Sequence, residues 1–263
     1  MANDIEKVRA QAHDANVANK IIDSLKELQQ SSDEKSRCRW VWELIQNAKD
    51  VANSSGSVDV KISFNEQQRI LQFAHNGKPF SMQNIVFLIE QVSTKDRDEK
   101  EEAKRSTGKF GTGFLTTHLL SEIVTISGVL QDENSQFKRF ELDINRSEKT
   151  REGIIAGNKK SFEQLQNSIE NGKIIFDFNE DLFNTSFTYR INENGLGVAK
   201  EGLGNLYDAL PYVFMFVPEI RSVSVEEYAW KFTRGKLYLS KNKDIKVQEI
   251  IVRENEEESG IYI

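Results

Sequence analysis

Two short segments, residues 42–50 and 107–114, constrain the fold of this chain more than any other feature. The first reads WELIQNAKD and the second TGKFGTGF. Because each residue of an α-helix turns by about 100°, Glu43, Asn47 and Asp50 fall on one helical face, opposite an apolar one. The sequence therefore predicts a helix that presents carboxylates and an amide, followed along the chain by a glycine-rich turn that opens another helix.

The polar face of the first segment can serve two purposes. A carboxylate in a covered site can take a proton from water, and an amide oxygen is a suitable ligand for magnesium. The alternative is an ordinary amphipathic helix whose polar face meets solvent. Trp40 and Trp42 flank the polar face, and large aromatic side chains in that position favour a face that something covers.

The glycines of the second segment, Gly108, Gly111 and Gly113, have Gly-x-x-Gly-x-Gly spacing. Glycine lets the backbone approach an anion closely, and the N–H groups at the start of a helix bind phosphate. The spacing differs from that of the Gly-x-x-x-x-Gly-Lys-Ser/Thr loop, and a charged run over 93–107, not a strand, precedes it. A purely structural glycine turn is the alternative; the charged segment before it favours a phosphate-binding loop.

Composition excludes several classes of protein. The 263 residues suffice for one large or two small domains, and the net charge of −6 gives no electrostatic reason to expect nucleic-acid binding. A single cysteine excludes an internal disulfide framework and fits a reducing compartment. The sequence lacks a secretory signal pattern and any apolar stretch of about 18 residues. We therefore expect a cytoplasmic protein that does not enter the membrane.

Hydrophobic periodicity predicts an α+β layout. Helices are expected over 3–29, 35–52, 81–91, from the glycine loop to 121, over 162–169 and over 206–216. Strands are expected over 58–64, 70–74, 123–130, 137–144, 173–178, 186–191, 222–230, 237–240 and 246–263. Residues 146–160 are expected to form an exposed connection. The glycines between 195 and 204 are expected to mark a boundary beyond which the sequence is more apolar.

In these motifs the chain resembles the GHKL ATPase superfamily, most closely its heat-shock-chaperone-like and sacsin-like members. The segment around Glu43 and Asn47 resembles the N-box, which implies that Glu43 is the general base and Asn47 a magnesium ligand. His75 begins a segment that occupies the place of the family's adenine-reading Asp-x-Gly motif. Residues 107–114 are similar to the chaperone glycine box, and residues 93–95 to the start of the ATP lid.

The resemblance covers about residues 30–192. It implies a Bergerat fold, in which a mixed sheet is covered on one face by helices that form the nucleotide site. It also implies an ATP-binding domain over 1–205 and, over 206–263, a helix and strands that begin or link to a second, transducer-like module, which we expect to be incomplete. The implied cofactors are ATP and Mg²⁺. Besides Glu43, the implied site residues are Asn47, Asp50, His75, Asn76, Gly77, Lys95, Gly108, Lys109, Phe110, Gly111, Thr112, Gly113, Phe114 and Thr185.

One departure from the family pattern concerns adenine recognition. His75 replaces the family's aspartate, and a neutral imidazole offers one acceptor nitrogen where a carboxylate offers two oxygens. Pro79 also replaces the second glycine of that motif. Sacsin-type proteins similarly lack the acid, and the expected consequence is weaker adenine binding.

The resemblance implies a magnesium-dependent switch that binds ATP and hydrolyses it slowly. Nucleotide would drive lid closure and either homodimer formation or docking of a further module or client protein. Two alternatives stay open: a degenerate scaffold with weak or no nucleotide binding, and a histidine-kinase-like catalytic domain. The kinase is disfavoured because His13 lacks the usual surroundings of a phosphoacceptor histidine.

Overall fold

A computed structural model describes residues 2–30, 34–91, 112–172, 174–239, 241, 244–255 and 257–263. These residues form five α-helices, one 3₁₀ helix and one ten-stranded sheet. The sheet contains both parallel and antiparallel pairings. The expected α+β class with a mixed sheet is confirmed.

The helices are α1 (Ala2–Gln30), α2 (Glu34–Asp50), α3 (Met82–Glu90), the 3₁₀ helix (Thr112–Leu119), α4 (Arg151–Asn171) and α5 (Glu193–Phe216). The strands are β1 (Val58–Asn65), β2 (Ile70–His75), β3 (Ile123–Gln131), β4 (Phe137–Asn145), β5 (Ile174–Ile175), β6 (Thr185–Arg190), β7 (Ile220–Val225), β8 (Trp230–Leu239), β9 (Lys246–Glu254) and β10 (Glu257–Tyr262). None of the helices formed by the described residues has the length and apolar character needed to cross a bilayer.

The strands follow the order β10-β9-β8-β7-β1-β2-β6-β3-β4-β5. The antiparallel hairpin of β1 and β2 lies near the centre, and β7 joins β1 in parallel. The strands after position 206 therefore continue the sheet begun by the earlier ones. The division predicted between 205 and 206 falls inside α5.

Alternation along β1 shows how the sheet is buried. Val58, Val60, Ile62 and Phe64 are at most 2% exposed, while the residues between them are half-buried. The apolar face of α2 packs into the same cluster as these four side chains. Because side chains of a strand alternate between its two faces, the helix-covered core lies on one face of β1 and polar residues lie on the other.

Helix α4 overturns the expected exposed connection over 146–160. The helix begins after its N-cap, Thr150, and continues through the shorter predicted helix. Its polar side chains hold the part of β4 that β5 does not pair with: Gln164 Oε1 accepts from the Asp143 N–H at 2.8 Å, and Ser168 Oγ from the Glu141 N–H at 3.3 Å. Residues that suggest solvent exposure in the sequence instead satisfy the backbone of a sheet edge.

Helix α5 likewise begins earlier than its predicted start at 206. Gly195 and Gly202 lie inside it, and a Cβ on Gly202 would overlap the Trp40 indole. The Trp40 Nε1–H donates to the Val198 carbonyl at 3.1 Å. These glycines therefore permit close helix packing. The tryptophans predicted that the polar face of α2 is covered, and α5 is one of the elements that pack beside it.

Two predicted strands also differ. The strand expected over 173–178 is reduced to β5. The strands expected over 222–230 and 237–240 are instead β7, which ends at Val225, and β8, which begins at Trp230. The turn between them contains Ala229 at φ 50°, a left-handed conformation that the apolar alternation did not indicate.

Candidate functional site

The polar face of α2 is largely buried. The side chains of Glu43 and Asp50 are 16% and 4% exposed, and Asn47 is 5% exposed. Arg39 Nε donates to Glu43 Oε1 at 3.0 Å, and Lys49 Nζ lies 3.6 Å from Asp50 Oδ1. The interpretation of this face as an ordinary solvated surface is therefore wrong, because neighbouring elements cover it.

Asn47 carries an unsatisfied polar atom. Its Nδ2 is buried and has no hydrogen-bond partner among the described residues. Leaving a buried polar group unpaired costs about 1–3 kcal/mol. Rotating the amide by 180° puts its oxygen at the same place, so this position suits either an acceptor or a cation.

The glycine-rich segment meets α2 at Glu43. A Cβ on Gly113 would overlap the Glu43 carboxylate, whose Oε2 is the atom nearest to it. A side chain at position 113 would therefore have to displace the Glu43 carboxylate from its place beside the 3₁₀ helix. The next residue, Phe114, is 1% exposed and belongs to the main core.

His75 ends β2 and is 3% exposed. Its Nδ1 accepts a hydrogen bond from the Gly77 N–H at 3.1 Å, which places the ring proton on Nε2. Burial lowers the pKa of His75 to about 4, so the ring is neutral at pH 7. The acceptor nitrogen expected to read an adenine amino group is thus occupied by Gly77, and the other ring nitrogen is a donor.

The two residues after His75 are fixed by contacts with Asp59 and Val51. Asn76 Oδ1 accepts from the Asp59 N–H at 2.6 Å, and Asn76 Nδ2 donates to Asp59 Oδ2 at 3.2 Å. A Cβ on Gly77 would overlap Val51 just beyond the end of α2. This segment therefore lies against both β1 and the C-terminal end of α2.

Aromatic contacts connect these segments. The His75 ring is stacked on Phe187 with centroids 6.3 Å apart, and Phe187 lies 5.6 Å from Phe114. Thr185, 1% exposed, is the register partner of His75 across β2 and β6. The end of α2, the end of β2, the start of the 3₁₀ helix and the start of β6 thus meet in one region.

Some predicted site residues lie outside the described part of the chain. These are Lys95, Gly108, Lys109, Phe110 and Gly111, together with the side chain of Thr112. Residues 92–111, which connect α3 to the 3₁₀ helix, contain the first two glycines of the predicted loop.

Sequence reasoning missed several residues of this region. Arg39 could have been found, because it precedes Glu43 by four positions and such pairs meet on a helix. Phe187 and Val51 gave no comparable signal. Both appear in sequence as ordinary apolar residues, and their importance arises from contacts with distant segments.

The described residues contain no group of three or more His, Cys, Asp and Glu side chains that could hold a metal ion. Magnesium bound with a nucleotide needs few protein ligands, because phosphate and water oxygens supply the others. The buried Asn47 amide fits that requirement. Two other cavities lie away from this region. One, of about 500 Å³, lies beside β3 and β6, and the other, of about 560 Å³, lies beside β7 and β8.

No protein-family model matches this chain, and no curated protein is significantly similar to it. The function must therefore be argued from the chain's own residues.

Proposed function

We propose that this chain is a magnesium-dependent ATP-binding domain of Bergerat type that hydrolyses ATP slowly and acts as a switch. In this proposal nucleotide promotes homodimer formation or the docking of a further module or client. The GHKL resemblance supplies the expected chemistry, and the arrangement of the described residues supports it.

One observation carries the proposal: the motifs that the sequence assigns to one site converge in space. Gly113 lies against the carboxylate of Glu43, although 70 positions separate them in the sequence. Gly77 lies against Val51, and Phe187 connects His75 with Phe114. A shared nucleotide site requires such a convergence.

The residues divide the chemistry among themselves. Magnesium neutralises phosphate charge and orients the phosphates when it is bound. The Asn47 amide would hold the ion, and the N–H groups at the start of the 3₁₀ helix would face phosphate oxygens. Arg39 occupies Oε1 of Glu43 and fixes the carboxylate, which leaves Oε2, beside Gly113, as the proton acceptor for a water molecule.

The first experiment is calorimetric titration with a nonhydrolysable ATP analogue, with and without magnesium, followed by turnover measurements on Glu43→Gln. This variant keeps the shape of the side chain and removes the proton acceptor. We expect it to bind the analogue as the wild type does and to lose at least about a hundredfold in turnover, the usual contribution of a general base.

Glu133→Gln is the matched control, because Glu133 is exposed in the turn between β3 and β4 and should leave turnover unchanged. Unaltered hydrolysis in Glu43→Gln would refute the role of Glu43. Absence of analogue binding to the wild-type chain would refute the site as a whole.

A degenerate scaffold is the second candidate, favoured by the hydrogen bond between Gly77 and His75 Nδ1. With that acceptor occupied, His75 cannot replace the family's aspartate toward an adenine amino group. The scaffold predicts weak or no binding of ATP and its analogue, whereas the ATPase predicts saturable, magnesium-dependent binding. The same titration therefore distinguishes the two.

A further inference from the structure

A second candidate binding site lies on the side of the 3₁₀ helix that faces α1. Leu115 of the 3₁₀ helix packs with Val17 and Ile21 of α1, whereas Gly113 faces α2. A partly open cavity of about 200 Å³ adjoins this contact. Its walls come from α1, the 3₁₀ helix, the segment after β4 and the start of α5.

Arg146 lines this cavity and is fully buried. Its Nη1 donates to the Asn145 carbonyl at 3.2 Å and to Asn158 Oδ1 at 2.9 Å, and its Nη2 donates to the Ile89 carbonyl at 2.6 Å. All of these acceptors are neutral, and Nε has no hydrogen-bond partner among the described residues. No carboxylate of the described residues forms an ion pair with it.

A buried cation in this situation calls for an anion. Removing a charge from water costs on the order of several kcal/mol. Only a counter-charge or a full set of hydrogen bonds can offset that cost. Burial lowers the pKa of Arg146 to about 9, so the guanidinium is still charged at pH 7. Neutral oxygens satisfy part of the guanidinium, and its Nε–H has no acceptor in the part of the chain that the structure describes.

His118 lines the same cavity and has an acceptor that is unpaired within the described part of the chain, whereas Arg146 has a donor that is unpaired there. Its Nδ1 donates to the Ser121 carbonyl at 3.2 Å, which leaves Nε2 as a bare acceptor. This Nε2 is buried without a partner among the described residues. Burial first, and the charge of Arg146 second, lower the pKa of His118 to about 3, so the ring is neutral.

The remaining polar groups of the wall include one ion pair and the start of a helix. Lys149 lies on the rim, where its Nζ is 3.3 Å from Glu122 Oε1, so these two charges offset each other. Asn192 and Asn194 come from the N-terminal end of α5, a 24-residue helix whose first N–H groups carry partial positive charge.

We propose that this cavity binds a phosphoryl group, with a phosphate oxygen accepting from Arg146 Nε and a phosphate O–H donating to His118 Nε2. A monohydrogen phosphate or phosphomonoester monoanion carries both functions, whereas sulfate has no O–H to donate at pH 7. The cavity has room for a phosphate with a small substituent. This site is distinct from the proposed nucleotide site and does not depend on it.

The test is calorimetric titration of the wild-type chain with inorganic phosphate, glycerol 3-phosphate and sulfate at pH 6, where about half of the phosphomonoester keeps its O–H. We expect saturable phosphate binding and affinity for sulfate lower by about tenfold, which one lost hydrogen bond would account for. Comparison of phosphate with glycerol 3-phosphate shows whether the free ion or a monoester is the better ligand. Absence of saturable phosphate binding, or equal affinity for sulfate, would overturn the assignment.

Two variants locate the binding. Arg146→Met removes the charge but keeps the linear shape, and should lower phosphate affinity by more than about tenfold. His118→Phe keeps the ring contact with Phe114 and should abolish the preference for phosphate over sulfate. If Arg146→Met does not fold, His118→Phe decides, and an unchanged preference in that variant contradicts the proposal. Arg151→Met is the matched control, because Arg151 is exposed and does not line the cavity.

Asn47→Ala separates this proposal from the proposed function. It should leave phosphate binding intact while weakening magnesium-dependent binding of the ATP analogue. Phosphate binding that is lost in Asn47→Ala but kept in Arg146→Met would place the ion in the nucleotide site and refute the second site. Phosphate binding as expected, without analogue binding, would instead refute only the ATP proposal.

Discussion

Asn47 and His75 are buried polar residues of the same region, but their hydrogen-bonding atoms differ in whether they have partners. Nδ2 of Asn47 lacks a partner among the described residues, whereas Nδ1 of His75 is occupied by the Gly77 N–H. The ligand proposed above would satisfy the buried Asn47 amide, since an unpaired amide is otherwise a cost. His75 is explained in part by the turn that it stabilises.

Replacement of His75 tests its relation to adenine. Both His75→Asp and His75→Asn place an oxygen that can accept from the Gly77 N–H, but only aspartate leaves a second acceptor oxygen for an adenine amino group. We expect His75→Asp to tighten binding of the ATP analogue by about tenfold and His75→Asn to leave it unchanged, as one charge-assisted hydrogen bond implies. Equal affinities in calorimetric titration of the two variants would show that residue 75 does not read the base.

At the scale of elements, the packing of α5 against α2 fixes the position of the candidate site. Gly202 lies under the Trp40 indole, and the Trp42 Nε1–H donates to Asn205 Oδ1 at 2.8 Å. Trp40 and Trp42 are thereby held by α5, while Glu43 lies against Gly113 at the start of the 3₁₀ helix.

Two glycines of α5 provide a matched test of this packing. A Cβ on Gly202 would overlap Trp40, whereas a Cβ on Gly204 would have open space around it. Gly202→Ala should lower the free energy of unfolding by about 1–3 kcal/mol because the interface is overpacked. Gly204→Ala should raise it by up to about 1 kcal/mol because alanine favours the helix. Denaturant unfolding of both variants measures the difference, and equal effects would contradict the close approach.

At the scale of the whole molecule, Asp59 connects the early and late strands of the sheet. It lies in β1, accepts from Arg221 Nε at 3.0 Å and Ser222 Oγ at 2.6 Å in β7, and is bonded to Asn76 after β2. Burial raises the pKa of Asp59, but the hydrogen bonds from Arg221 and Ser222 outweigh it and leave the pKa below the usual 3.8. The carboxylate is therefore ionised at neutral pH.

Asp59→Asn should destabilise the chain in a pH-dependent manner. Because the folded-state pKa is lowered, the contribution of Asp59 is fully present above its unfolded value of 3.8 and is lost as the pH falls through the folded value. Arg221 is 43% exposed, so we expect a loss of about 1–2 kcal/mol at pH 7. Thermal unfolding should show the difference between variant and wild type narrowing below pH 3.8.

Asp208→Asn, on an exposed turn of α5, is the control and should have little effect at either pH. A constant difference between Asp59→Asn and the wild type across the acid range would mean that packing, and not the charge of Asp59, stabilises the junction.

The sequence by itself determined the elements whose patterns are local. The strands β1 and β2, the start of α3 at Ser81 and the polar face of α2 follow from alternation, cap chemistry and helical spacing. Only the tertiary structure decided how those elements meet. Long-range contacts made glycines helical in α5 and turned the polar residues of α4 into partners of β4. They also left Asn47 and Arg146 with buried atoms that have no partner among the described residues. These outcomes depend on neighbours distant in the chain, and the local pattern of a sequence carries no information about them.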